Sequence, residues 1–209
     1  MNSNETQSIK IANCDPSAIG LFGLAVVTLV ASSQKLGITE GTSFVLPWAI
    51  FLGGFAQLFA CINDTKRQNT FGATAFGGFA FFWFAVGVSW MIDAGTFGQG
   101  LAGAVDQKQL GVAFLAYLIF TVFMTIGAAE ANRVLFAVFF FLNFLFIGLM
   151  LNSFGVAPQF SIKLAGFSEL IASLVAFYGS AATVLNPHFE REFLPIGKPF
   201  GIFKKEDYN

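Results

Sequence analysis

Charged residues along the chain fall into clusters that separate long uncharged stretches, at 16–34, 41–63, 68–92, 109–129, 134–162 and 170–187. Each is about 18 residues or longer, enough for a helix rising 1.5 Å per residue to cross a hydrocarbon core of about 30 Å. Strands of a membrane barrel would be about 10 residues long and would alternate in polarity, which these stretches do not. The pattern predicts an all-α integral membrane protein with six transmembrane helices. The fifth stretch exceeds one crossing, so its helix is predicted to end near Leu151, with 152–163 as a loop. The sixth helix is predicted over 170–187, with Glu169 a solvated carboxylate at its start. Short links at 63–68 and 130–133 imply antiparallel hairpins, and the longer links at 93–108 and 152–169 lie on the other side. The leader before the first span holds Glu5, Lys10 and Asp15, unlike the positive start of a signal peptide, so 19–33 is read as a mature helix.

Composition agrees with this reading. Of 209 residues 56% are hydrophobic and 11% charged, against roughly 25% charged in soluble domains, so the charges are too few to cover a water-facing surface. The 29 phenylalanines add large apolar area without a polar atom. With six spans both termini share one side. That side collects Lys10, Lys66, Arg67, Arg133, Arg191, Lys198, Lys204 and Lys205, against Lys35, Lys108 and Lys163 opposite. The excess predicts cytoplasmic termini in a multi-pass protein of the cell's inner (plasma) membrane. The expected organisation is a tail at 1–15, one transport domain at 16–190 and a cytoplasmic tail at 191–209, both tails polar and mobile at their ends. A net charge of −1 gives no sign of a nucleic-acid partner. Cys14 and Cys61 have no metal-ligand spacing and read as small packing residues.

Catalytic chemistry finds little to work with. No Asp, Glu, His, Lys or Arg lies well inside a charge-free stretch, and no metal-ligand cluster or phosphate-binding loop is present, so neither an enzyme nor a metal or cofactor site is expected. The spans instead hold neutral polar groups, Gln57, Thr28 and Asn143 among them. Most helix hydroxyls bond back to their own carbonyls. An amide is harder to satisfy, so Gln57 and Asn143 leave two readings open: an interhelical hydrogen bond, or a contact with solute in a pore. Gln57 follows Gly53 by one helical turn on the same face. Leu24, Phe79 and Leu142 lie near the middles of their helices, where bulky apolar side chains serve either as ordinary core or as a constriction that gates by dewetting.

Three stretches carry a resemblance to a known family. DPSAIGLFGLA (15–25) is similar to NPAPLGLxxFG. GGFAQLFA with QNTFGATAF and FFW is close to GGxAQxxAG and GNTFGxTAFxSYGxFW. NRVLFAVFFFLNFLF pairs with VLNPHFEREFLPIG near the end. Together they span 15–197, and the chain resembles the acetate uptake transporter family, which includes a bacterial succinate–acetate permease and fungal acetate and ammonia-export relatives. The resemblance implies six helices around a pore within each protomer, a homo-hexamer in the bilayer, and passage of acetate, related small monocarboxylates or succinate. It implies a three-residue gate at positions matching Leu24, Phe79 and Leu142, and it matches Gln57 to the family's second-span glutamine. Two departures stand out. NPAP reads DPSA, with Asp15 and Ala18, and the gate aromatics read Leu and Phe, so the tyrosine hydroxyl is lost. The expected route places the anion against Gln57, Thr28 and Asn143 inside, with Asp15, Asn69 and Thr70 at the entrance. The alternative is a neutral small-solute channel for urea, amides or ammonia.

Overall fold

The computed structural model describes residues 14–203. Residues 1–13 and 204–209, with Lys10, Lys204 and Lys205 of the charge count, lie outside the described residues. The described residues form six long helices: α1 (Ser17–Lys35), α2 (Val45–Lys66), α3 (Thr70–Asp93), α4 (Gln107–Ala129), α5 (Arg133–Ser153) and α6 (Pro158–His188). All six are long and apolar enough to span a membrane. A single helical turn, Gln99–Ala102, interrupts the α3–α4 link. The face bearing the start of α1, the α2–α3 and α4–α5 links and the end of α6 is called basal below, and its opposite distal.

Neighbouring helices pack as a ring. α3 lies on α2, α2 on α1, α1 on α6, α6 on α5 and α5 on α4. The ring does not close through backbone contact, because α3 and α4 scarcely approach one another. Lipid supplies no hydrophobic drive between helices, so close approach must come from small residues and interhelical hydrogen bonds. α6 provides both. Its buried face is Ala165, Gly166, Ala172, Ala176, Gly179 and Ala182, and Ser173 and Ser180 donate to the carbonyls of Ala25 (2.6 Å) and Ala18 (2.8 Å) on α1. Gly148 of α5 faces the Ala165 and Ser161 backbone at a distance no side chain fits.

Aromatic side chains fill the gap between α3 and α4. Phe79 and Phe82 of α3 meet Phe114, Tyr117 and Phe120 of α4, and Phe146 of α5 stacks at 5.5 Å on Tyr117. Tyr117 donates its hydroxyl to the Gly78 carbonyl (2.9 Å), the one polar tie across this seam among the described residues. Such ring pairs add about 0.5–1.5 kcal/mol each beyond their buried area.

The sixth helix departs from the sequence expectation. It begins at Pro158, and the expected loop at 152–169 contracts to a four-residue link at 154–157 with Ala157 left-handed (φ 43°). Glu169 therefore sits inside the helix, 1% exposed, and its Oε2 accepts from Lys35 Nζ at 2.9 Å. A buried carboxylate is tolerable when paired in this way. Lys163 is exposed and leaves α6 continuous. The segment after α6 is also placed. Asn186 clasps Leu194 through both amide atoms, Val134 N–H donates to Ile196 O, and Glu130 Oε1 accepts from the Ile202 and Phe203 amides. Residues 189–203 thus fold back over the α4–α5 link.

Candidate functional site

A cavity of about 440 Å³ enters the bundle from the basal face. Its mouth is ringed by Asp15, Asn69, Glu130, Asn132 and Ile196, and its walls run inward along α1 through Leu21 to Leu24, along α3 through Gly72 and Phe76 to Phe79, and along α5 through Val138 to Phe139. Gln57 is the only residue of α2 on the wall. Gln57 and Phe79 each stand nine residues from the basal end of their helix, about 14 Å deep, and Leu24 stands seven. The cavity stops at this depth. Leu142, likewise nine residues in on α5, lies beyond Phe139 and is 1% exposed without reaching the wall. Distal to it come the rings of Phe82, Tyr117 and Phe146.

A change of helix type sets the orientation of Gln57. Residues Ala49–Ala56 wind as a π-helix and return to an α-helix at Gln57. Wide turns of this kind cluster at functional sites. The Gln57 Nε2 donates to the Gly53 carbonyl at 3.0 Å, one turn back. Since a carbonyl only accepts, the amide nitrogen must lie on that side. The Oε1 atom is left buried with no partner. Gly53 keeps this turn close to Trp83, whose ring fills the space a Cβ would need.

The mouth has its own polar arrangement. Asn69 caps α3, accepting from Gly72 N–H (3.2 Å) and donating to Asp64 Oδ1 (3.1 Å). Asp64 is fully buried, its Oδ2 against Gly72 without a hydrogen-bond partner. A carboxylate thus already sits at the positive end of α3, where the helix dipole favours negative charge. Asp15 pairs with Arg67 at 3.2 Å and is half exposed. Arg133 is drawn aside over the Phe200 ring, 5.6 Å from its centroid. Among the described residues the wall therefore carries two carboxylates, Asp15 and Glu130, and no cation.

The structure brings together Gln57, Leu24, Phe79, Asp15 and Asn69 on one cavity. Thr70 begins α3 at the exposed basal edge and is not on the wall. Thr28 is a turn distal to Leu24 and spends its hydroxyl on the Leu24 and Ala25 carbonyls (2.6 and 3.2 Å). Asn143 faces α4, donating to Thr125 Oγ1 at 2.8 Å, and is off the wall. Sequence reasoning missed Glu130 and Ile196 as wall residues, and Asp64 as a buried group. Only the Asn at the residue before Thr70 hinted at a capped helix there.

A ring of membrane-spanning helices around a blind cavity that ends on one neutral amide defines a membrane transport protein. The GPR1/FUN34/yaaH family matches residues 1–195, and the chain belongs to that family. It is 34% identical to the succinate-acetate/proton symporter SatP of Escherichia coli (strain K12) over 189 residues, covering 90% of this chain and 97% of the relative. It is 27% identical to acetate permease A of Emericella nidulans, covering 94% of this chain and 71% of that protein. The solved structure of the bacterial acetate channel SatP superposes with a TM-score of 0.82 at 33% identity, covering 89% of this chain and all of that one. These relatives are transporters or channels rather than enzymes, and this chain is a multi-pass protein of the plasma membrane.

Proposed function

We propose that the protein carries acetate, related small monocarboxylates or succinate through each protomer, along the basal cavity and past a constriction of Leu24, Phe79 and Leu142. The observation that supports this most is the cavity itself, which enters from the basal face and ends beside Gln57. The relatives' names give the substrate class. The basal face is assigned to the cytoplasm by the positive-inside rule, and the working assembly is a homo-hexamer, as the family resemblance implies.

The route divides the work by depth. The vestibule, about 440 Å³, has room for a small solute together with several waters, so a solute enters hydrated. At Leu24 and Phe79, 4% and 3% exposed, no polar side chain except Gln57 meets it. A bare charge at bilayer depth costs about 2.5–3.5 kcal/mol on insertion scales and more in simulations. The neutral-solute alternative gains something specific from the wall, which among the described residues carries carboxylates and no cation.

Uptake of labelled acetate, succinate, lactate and urea into proteoliposomes tests the reading. Protein-dependent acetate uptake is expected to exceed urea uptake and to fall at least tenfold in Gln57→Leu, with the oligomer unchanged by gel filtration. Urea uptake without acetate uptake refutes the assignment.

A further inference from the structure

We propose that a groove on the outer surface between α5 and α6 binds an anionic phospholipid, with its phosphate on Arg133 and an acyl chain laid against Ala137, Leu174 and Val175.

The groove, about 550 Å³, is bounded by one turn of each helix and roofed at its basal end by residues 195–197 of the returning segment. Arg133 and Tyr178 are the only polar side chains of its lining, and the Tyr178 hydroxyl is already given to the Pro195 carbonyl at 2.8 Å. The rest is apolar and opens outward, with Leu174 56% exposed. Water held there would lack the two to four polar partners it needs. An acyl chain needs none.

Depth matches the other half of the ligand. α5 has 21 residues, about the length that crosses the hydrocarbon core, so its first residue, Arg133, stands where chains give way to headgroups. Tyr178 flanks the same level, where tyrosine is enriched in spanning helices. Ala137 and Leu174 each lie one turn deeper.

Arg133 is the group that calls for an anion. It is exposed, and among the described residues no carboxylate pairs with it. Glu130, three positions earlier, instead accepts from the Ile202 and Phe203 amides at 2.8 and 3.0 Å. The stem of Arg133 passes over Gly197 (φ 74°), where a Cβ would collide with it. Its guanidinium lies over Phe200, and that ring packs edge-on against Phe136 at 4.9 Å. Stacking uses the face of the guanidinium and leaves its N–H edge, a planar fork that fits a phosphate. Lys198, exposed beside Gly197, adds a second positive charge. Basic pockets between spanning helices on the cytoplasmic side bind anionic headgroups. Free phosphate would meet the charges and leave the groove empty, so the pairing of cation and apolar groove selects the lipid.

The site backs onto the basal cavity. Val134 and Ile196 line both, tied by the Val134 N–H to the Ile196 carbonyl at 3.2 Å. One layer of side chains separates the bound lipid from the cavity mouth.

The test titrates the delipidated full-length protein in detergent with phosphatidylglycerol, or with phosphatidylcholine of the same acyl chains, and counts bound lipid per oligomer by native mass spectrometry. Phosphatidylglycerol is expected to bind at least about fivefold more tightly. Arg133→Gln is expected to bring the two lipids to within about twofold of each other, and Ala137→Trp, which fills the groove, to weaken phosphatidylglycerol at least about fivefold with the oligomer intact. Arg191→Gln, whose guanidinium lies over Phe193 outside the groove, is expected to keep the wild-type preference. Equal affinity for both lipids in the wild type overturns the proposal, as does wild-type binding in either Arg133→Gln or Ala137→Trp. Loss of the preference in Arg191→Gln as well overturns it in favour of diffuse surface charge. Dissociation of the oligomer by Ala137→Trp with the lipid preference retained overturns it by giving the groove to a neighbouring copy of the chain.

Discussion

Replacing Phe79 by Ala tests whether the end of the cavity selects substrate. Phe79, with Phe82 one turn further along α3, reaches its ring across the open seam of the helix ring, and of the two it is the one on the cavity wall. Its centroid lies 6.4 Å from Tyr117 and 5.9 Å from Phe120 on α4, and 6.0 Å from Phe139 and 6.4 Å from Phe146 on α5. Because the α3 and α4 backbones do not close on each other, loss of this ring is not made good by collapse of the helices. One extra methylene-sized group in an apolar site is discriminated by about 1–3 kcal/mol, or ~10- to 200-fold in rate. Relief of that discrimination is expected to raise the lactate-to-acetate flux ratio by about tenfold or more. The same truncation costs stability, about 3–5 kcal/mol for a buried phenylalanine, so Phe79→Leu serves as a milder companion with a smaller rise. The assay is paired isotope uptake into proteoliposomes, normalised to correctly eluting oligomer. A flux ratio within twofold of wild type, in a variant that elutes normally, would refute the role of Phe79 at the constriction.

Two further outcomes rest on helix packing. Glu169→Gln leaves the Lys35 ammonium buried and unpaired, so thermal unfolding of the purified protein is expected to show a loss of about 3–5 kcal/mol, largely recovered in Lys35→Met/Glu169→Leu. Equal stability of the single and double variants would rule out a buried pair. Gly148→Ala places a methyl against the Ala165 nitrogen and the Ser161 carbonyl, which are backbone atoms and cannot step aside. It is expected to cost about 1–3 kcal/mol, read as a lower melting temperature in detergent.

Much of this architecture is legible along the chain, and the exceptions share a cause. The spans of α1, α3 and α4 follow the uncharged stretches closely because each ends at a charged residue, Lys35, Asp93 or Glu130, of which Asp93 lies exposed and Lys35 turns inward to an ion pair. α6 breaks the rule because Glu169 is neutralised by Lys35, 134 positions away, and a non-local pair leaves no trace in local polarity. The π-helical segment before Gln57 is equally hidden, since AIFLGGFA reads as an ordinary apolar helix. The amide itself was legible as an expense in an oily helix, but its orientation was not. That depends on the Gly53 carbonyl, which the turn of backbone delivers. Asn143 is half-buried and gives its Nδ2 to Thr125 on the next helix, although its Oδ1, like Gln57 Oε1, has no partner. Ile196 reaches the mouth because the segment after α6 doubles back, held by Asn186, and the same segment brings the Ile202 and Phe203 amides onto the Glu130 carboxylate at the end of α4.

The uneven closure of the ring bears on where it opens. Between α1 and α6 the contact is made by small residues and by Ser173 donating to Ala25 O at 2.6 Å, so any widening there has to move backbones. Between α3 and α4 the barrier is made of side-chain rings, tied among the described residues by a single hydroxyl bond from Tyr117. Side chains rotate on shorter timescales than helices shift, and a seam of rings opens without breaking a helix–helix contact. The phenylalanine-rich composition thus has a use beyond lipid solubility. Locking the backbone-packed seam is therefore expected to leave transport intact. Ala25→Cys with Ser173→Cys, in a chain with Cys14 and Cys61 replaced by Ser, is used to join α1 to α6 on oxidation, with closure of the disulfide verified by loss of free thiol. Acetate flux in proteoliposomes is expected to stay within twofold of the reduced protein. A tenfold fall on oxidation, reversed by reductant, would place the opening motion in the helices and remove the aromatic seam from the mechanism.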